Sequence, residues 1–166
     1  MRVLMTGGGT GGHVNPAIAI ADTIKAHIPD AEIAFVGTKR GIENKLVPAA
    51  GYELYHVDVR GFRRSLSPAN IRAAFLALVS PLAAKKIVKK FRPDVVIGTG
   101  GYVSWPLIVA ASRLGIPSAV HESNAVPGLA VRKLVPYVDR IFEIIEVSGK
   151  ALGAPEKTIH VGSPLR

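Results

Sequence analysis

The stretch Gly7-Gly8-Gly9-Thr10-Gly11-Gly12-His13 decides how this chain is read. Before it runs a short apolar segment centred on Val3, Leu4 and Met5, and after it a helical pattern opens at Asn15-Pro16. That order predicts a buried strand, a glycine turn and a helix carrying Pro16 in its first turn, where a missing N–H is no loss. Glycines let the backbone turn tightly and set bare N–H groups before the positive end of the helix dipole. Such a turn is a seat for phosphate or pyrophosphate.

Gly7, Gly9 and Gly12 fit the spacing G-x-G-x-x-G, so a dinucleotide is the first ligand to weigh. The fingerprint asks for an acidic residue at the end of the second strand to hold a ribose, and the apolar run 33–36 ends instead in Gly37-Thr38-Lys39-Arg40. NAD is disfavoured, and NADP survives only through the two bases. A P-loop needs Lys and then Ser or Thr after Gly12, where the chain has His13 and Val14.

Length and composition narrow the class. The chain has 166 residues, 48% of them hydrophobic and 20% charged, enough for one domain with a real core. It has no cysteine, which excludes disulfides and thiolate metal sites. No run approaches the roughly eighteen apolar residues of a membrane span, so the expectation is a soluble chain or one lying on a membrane. The formal charge of +9 points to a polyanion, an anionic membrane surface or a phosphorylated substrate. Nucleic acid is not expected, because aromatic residues make up only 6% and no recognised binding motif occurs.

Apolar runs of strand length at 3–6, 32–36, 53–59, 94–98, 117–121, 140–144 and 158–162 alternate with helical patterns. Near-continuous Val, Ile and Leu suit strands covered on both faces, and the alternation predicts a doubly wound, parallel α/β sheet. Gly9-Thr10-Gly11-Gly12 recurs as Gly98-Thr99-Gly100-Gly101 after the fourth strand. In a sheet of order 3-2-1-4-5, strands one and four are neighbours across the switch point where ligands bind. Both glycine loops would then face one crevice, with His121-Glu122-Ser123-Asn124 at the end of the fifth strand completing its rim.

Within that crevice His13 is the candidate base, and Glu122 the reserve, since either side chain can take or orient a proton. Tyr102 and Ser104, after the second glycine loop, are read as substrate contacts. Asn124 is either a substrate contact or the N-cap of a helix over 126–135. His121-Glu122 lacks the second histidine of H-E-x-x-H, so no metal site is expected there. The loop dipoles can offset phosphate charge by themselves, and no cofactor is called for. Further along, Ile71, Phe75, Leu78 and Leu82 fall on one helix face, although Pro81 should kink that helix. Lys85, Lys86 and Lys89 follow, with Lys90 and Arg92, and Arg60, Arg63, Arg64 and Arg72 come before and within. A second stripe, Leu76, Val79, Ala83 and Ile87, can serve as the core face and leave the first to dock on a membrane surface.

Several segments together resemble the MurG family of glycosyltransferases. They are 8–14 (Gly-Gly-Thr-Gly-Gly-His-Val), Pro93-Asp94-Val95-Val96, Gly100-Gly101-Tyr102-Val103-Ser104, Gly115-Ile116-Pro117, His121-Glu122-Ser123-Asn124 and Val161-Gly162-Ser163-Pro164-Leu165-Arg166. Ser123 stands where the family commonly has Gln, and Ser163 where it commonly has Asn. The resemblance implies an inverting GT-B enzyme that moves N-acetylglucosamine from UDP-N-acetylglucosamine to a lipid-linked, pyrophosphoryl muramoyl peptide during peptidoglycan synthesis. It further implies that residues 1–166 are the amino-terminal, acceptor-binding Rossmann-like domain, with the donor-binding domain outside this chain and the isolated domain inactive. Implied donor contacts are Thr10, Gly11, Gly12, Asn124 and Arg166; the loops with Gly100 and Gly101 would face the acceptor's pyrophosphate. The apolar stripe and its lysines would meet the cytoplasmic face of the bacterial cell membrane. Two other readings stay open: an NADP-dependent oxidoreductase, and a non-catalytic acceptor-binding or membrane-recruiting subunit of a split transferase.

Overall fold

A computed structural model describes residues 1–61 and 68–164. Arg63 and Arg64, and the Arg166 expected at the site, lie outside the described residues. Seven strands, β1 (Arg2–Thr6), β2 (Glu32–Gly37), β3 (Glu53–His56), β4 (Val95–Gly98), β5 (Ser118–Glu122), β6 (Arg140–Glu143) and β7 (Thr158–His160), form one sheet. Its order is β3-β2-β1-β4-β5-β6-β7, and every pairing is parallel. The order expected for the first five strands is therefore observed, and two more extend the same edge. Six α-helices connect them: α1 (Gly11–His27), α2 (Glu43–Ala49), α3 (Ala69–Phe91), α4 (Ser104–Arg113), α5 (Leu129–Leu134) and α6 (Val147–Leu152).

Strand side chains alternate between two cores, which is why the strands read as continuous apolar runs. Val3, Met5 and Phe35 pack with Val14, Ile18 and Val47 of α1 and α2. On the other face Leu4, Val36, Val96, Val120 and Ile141 meet residues of α3, α4 and α5, among them Val88, Leu107 and Leu134. The strands' carboxyl ends, where the glycine loops leave, all fall on one edge of the sheet.

Three local expectations are corrected. Helix α1 opens at Gly11 rather than at Asn15, so Gly11, Gly12 and His13 are its first turn and Pro16 falls in the second. Helix α5 opens at Leu129 with Gly128 at its N-cap, and Asn124 therefore caps nothing. Helix α3 runs unbroken through Pro81. Proline has no N–H to give the carbonyl of residue i−4, here Ala77. That carbonyl instead accepts a 2.8 Å hydrogen bond from Trp105 Nε1 of α4, which satisfies the acceptor and ties the two helices together.

The face α3 turns to the core is also not the expected stripe. Ala73, Ser80, Pro81, Ala84, Val88 and Phe91 are buried; Leu76, Val79 and Ile87 are half-buried and Ala83 is exposed. Small side chains let α3 lie close against its neighbours, a signal that hydropathy alone does not carry. The outward stripe is as expected: Ile71, Phe75, Leu78 and Leu82 are 74%, 63%, 75% and 60% exposed. No helix among the described residues is long and apolar enough to cross a membrane.

Replacing Trp105 by Phe keeps most of the packing and orphans the Ala77 carbonyl. The expected cost is about 1 to 3 kcal/mol in urea unfolding. A Pro81→Ala, Trp105→Phe double variant, which restores a helical donor, should recover part of that loss.

Candidate functional site

The turn after β1 is held from beneath by a carboxylate. Glu43, the first residue of α2, is fully buried, and its Oε1 accepts from the Thr38 amide at 2.9 Å and the Thr38 hydroxyl at 2.8 Å. Its Oε2 accepts from the Gly9 amide at 3.2 Å. Burial by itself would raise this carboxyl's pKa, but the amides of Thr38, Glu43 and Gly9 and the Thr38 hydroxyl outweigh it and hold the group below the usual range. A charged carboxylate thus braces the loop. The Gly9 amide points inward and is not offered to an anion, so the seat moves to the first turn of α1. There the His13 amide is taken by the Thr10 carbonyl, the Gly11 and Gly12 amides have no intrahelical acceptor, and no acidic side chain competes. Gly8 serves this brace as well, because a Cβ there would come within 2.9 Å of Glu43 Cδ.

The second glycine loop closes directly over the first. A Cβ on Gly100 would sit 2.9 Å from His13 Cδ2, and one on Gly101 would sit 2.6 Å from the Gly8 carbonyl oxygen. Both glycines also adopt positive φ, 93° and 74°. No other residue type fits such a contact with such a backbone. Thr99 fastens the loops further by donating its hydroxyl to the His13 carbonyl at 2.6 Å. Tyr102 covers the outer side, its ring 3.1 Å from where a Cβ on Gly9 would be. Thr99 and Gly98 repeat the first loop's letters but not its geometry, since Gly98 ends β4 and Thr99 is buried.

His13 is half-buried between these loops, its Nδ1 3.0 Å from the Thr10 hydroxyl. Burial lowers its pKa from the ordinary value; the negative charge of Glu122 and the Gly8 carbonyl partly oppose that. The imidazole is therefore neutral at pH 7 and able to accept a proton.

The end of β5 differs from expectation. Glu122 is buried and fully engaged: Oε1 accepts from the Asn124 amide at 2.8 Å and its side-chain Nδ2 at 2.7 Å, and Oε2 accepts from the Gly128 amide at 3.0 Å. It shapes the loop 123–128 and lends charge to His13, and both its oxygens are already hydrogen-bonded within that loop, which fits an orienting role better than that of the expected reserve base. His121 is buried too, with Nε2 lacking any hydrogen-bond partner among the described residues, and burial lowers its pKa. The rim at this strand consequently comes from Ser123 and Asn124 alone. Ser104 is also corrected: it is fully buried and donates to the Gly100 carbonyl at 2.7 Å, fixing the second loop rather than facing a substrate.

Thr10, Gly100 and Gly101 lie against His13 and Tyr102 against Gly9, Gly11 and Gly12 open α1 beside them, and Asn124 is exposed just past the end of β5. Lys85, Lys86 and Lys89 are exposed beside the apolar stripe on α3. No group of three His, Cys, Asp or Glu side chains suited to a metal ion occurs among the described residues. Sequence reasoning missed Glu43 and Thr99. Glu43 had one available signal, an acid opening a helix just after a strand that ends in Gly37-Thr38.

Comparison with known proteins places this architecture. Residues 3–143 match the family described as the glycosyltransferase family 28 N-terminal domain. The chain belongs to that family. Among curated relatives, a UDP-N-acetylglucosamine–N-acetylmuramyl-(pentapeptide) pyrophosphoryl-undecaprenol N-acetylglucosamine transferase of Lactococcus lactis subsp. cremoris is 48% identical over 164 residues, 99% of this chain and 46% of that protein. The crystal structure of Acinetobacter baumannii MurG is similar with a TM-score of 0.82 at 30% identity, covering 99% of this chain and 46% of the other. A Methanocaldococcus jannaschii UDP-GlcNAc 2-epimerase, at 15% identity and a TM-score of 0.72, shares the fold alone, over 98% of this chain and 47% of its own. The chain spans about half the length of the curated relatives it matches. Family 28 membership gives no support to the NADP-dependent oxidoreductase.

A titration of the His13 imidazole by NMR should give a pKa below the ordinary value near 6.5. Glu122→Gln removes the charge that raises it, so the variant's pKa should fall further; a rise would contradict this electrostatic assignment.

Proposed function

We propose that this chain is the acceptor-binding half of a family 28 transferase that moves N-acetylglucosamine from UDP-N-acetylglucosamine to a lipid-linked muramoyl peptide pyrophosphate. The observation that carries the reading is His13, neutral and set between two interlocked glycine loops at the carboxyl edge of the sheet. The relatives of matching sequence supply the substrate pair. Donor binding would fall chiefly to a second domain, with Thr10, Gly11, Gly12, Asn124 and Arg166 adding contacts from this side.

In this mechanism the first turn of α1 and the loop at Gly100 and Gly101 hold the acceptor's pyrophosphate through backbone dipoles. His13 takes the proton from the attacking sugar hydroxyl as the new glycosidic bond forms with inversion. The bond to UDP breaks in the same step, and the leaving diphosphate carries away the electron pair. Glu122 acts as a positioning residue: its charge keeps the imidazole basic enough to receive the proton. The apolar stripe on α3 and the lysines after it would rest on the cytoplasmic face of an anionic membrane, bringing the crevice to a substrate anchored there.

In an enzyme joining this chain to its donor-binding half, His13→Ala should lower kcat by on the order of 10²- to 10⁴-fold with little change in donor KM. Undiminished transfer would remove His13 as the base. For the membrane surface the readout is co-sedimentation with anionic vesicles, which should weaken with added salt and with Leu78→Glu. Binding indifferent to both would refute it.

A further inference from the structure

Beside the crevice lies a cleft of about 580 Å³, within the range of small-molecule sites. It opens between the segment after β3, helix α3, the start of α4 and helix α5. Val59, Ala77, Trp105, Leu129 and Ala130 give it carbon walls, and its charged lining residues are Arg60 and Lys133, both cationic. No acidic side chain is among the described residues that line it. One wall is shared with the glycine-loop site: the Tyr102 ring lies against Gly9 on one side and Gly61 on the other, 3.1 and 3.0 Å from where Cβ atoms would stand. Ala77 of α3 also lines it. The cleft is therefore an apolar space that adjoins the glycine-loop site through Tyr102 and carries two cations.

A ligand matching those surfaces has a phosphate head and a hydrocarbon tail joined directly. We propose that the cleft seats the pyrophosphate-proximal isoprene units of a prenyl pyrophosphate, the chain lying on Trp105 and Leu129 while Arg60 and Lys133 face the phosphates. This rests on the acceptor reading above and names where the acceptor's tail leaves the site. It also accounts for Leu129, an apolar cleft residue that is 62% exposed while Val131 and Leu134 of the same helix are buried. Partial burial of several methylenes and methyls gives the tail a gain in affinity of roughly tenfold or more over the phosphates alone.

Trp105 is the only tryptophan in the chain, so its emission reports on the cleft directly. The test titrates the protein with farnesyl pyrophosphate, with inorganic pyrophosphate and with a tailless muramoyl-peptide pyrophosphate. Farnesyl pyrophosphate should shift Trp105 emission to the blue and bind roughly tenfold or more tighter than pyrophosphate. Leu129→Asn, at an exposed position and without added charge, should erase most of that gain and leave pyrophosphate binding intact; Lys133→Glu should weaken both. If the tail adds nothing, or adds affinity that Leu129→Asn leaves untouched, the cleft is not its seat, while binding of the tailless acceptor upholds the acceptor reading. If neither the prenyl nor the tailless pyrophosphate binds, the acceptor reading falls as well.

Discussion

The contact on which the site depends is one between two pieces of backbone. The turn after β4 crosses the turn after β1 so closely that the Cβ of any residue but glycine at 101 would press on the Gly8 carbonyl, and one at 100 would strike the His13 ring. Everything chemical about the crevice follows from that closeness. It buries half of the imidazole and so lowers its pKa, it orients the ring against Thr10, and it directs two loops toward one space. Strand order makes the contact available, because β1 and β4 are hydrogen-bonded neighbours whose crossovers leave on opposite faces.

Two buried carboxylates keep the loops in place, one on each side. Glu43 braces the first from beneath and Glu122 ties off the loop after β5. Each accepts from two backbone amides and one side-chain donor, and such donors make a buried negative charge tolerable. Their work is architectural and electrostatic, and it holds the half-buried His13 imidazole between the loops, where the proposed mechanism needs a proton acceptor.

Much of this was legible in sequence. Seven apolar runs correspond to the seven strands, and the glycine repeat pointed to two loops across the switch point. Family 28 membership and the fold agree with the resemblance first carried by those segments. What was not legible depended on contacts between distant residues. The opening of α1 was placed at Asn15-Pro16 because proline favours a first turn, yet tertiary packing lets the helix begin at Gly11 and accept Pro16 one turn later. Pro81 was read as a kink because its lost hydrogen bond is local information, whereas the replacement donor, Trp105, comes from α4, 28 residues beyond Ala77. Glu122 and Ser104 were read as chemistry since polar residues near glycine loops usually are; only burial reveals that their polar atoms are already committed. The glycine run was credited wholly to phosphate, though Gly8 makes room for Glu43 and Gly9 donates to it.

The central claim is a single anion seat built by both loops. It is tested most directly by titrating the isotope-labelled protein with inorganic pyrophosphate and following the backbone amides of Gly11, Gly12 and Gly101. The account predicts that all three shift together along one binding curve. Shifts confined to one loop, or two curves with different midpoints, would contradict it.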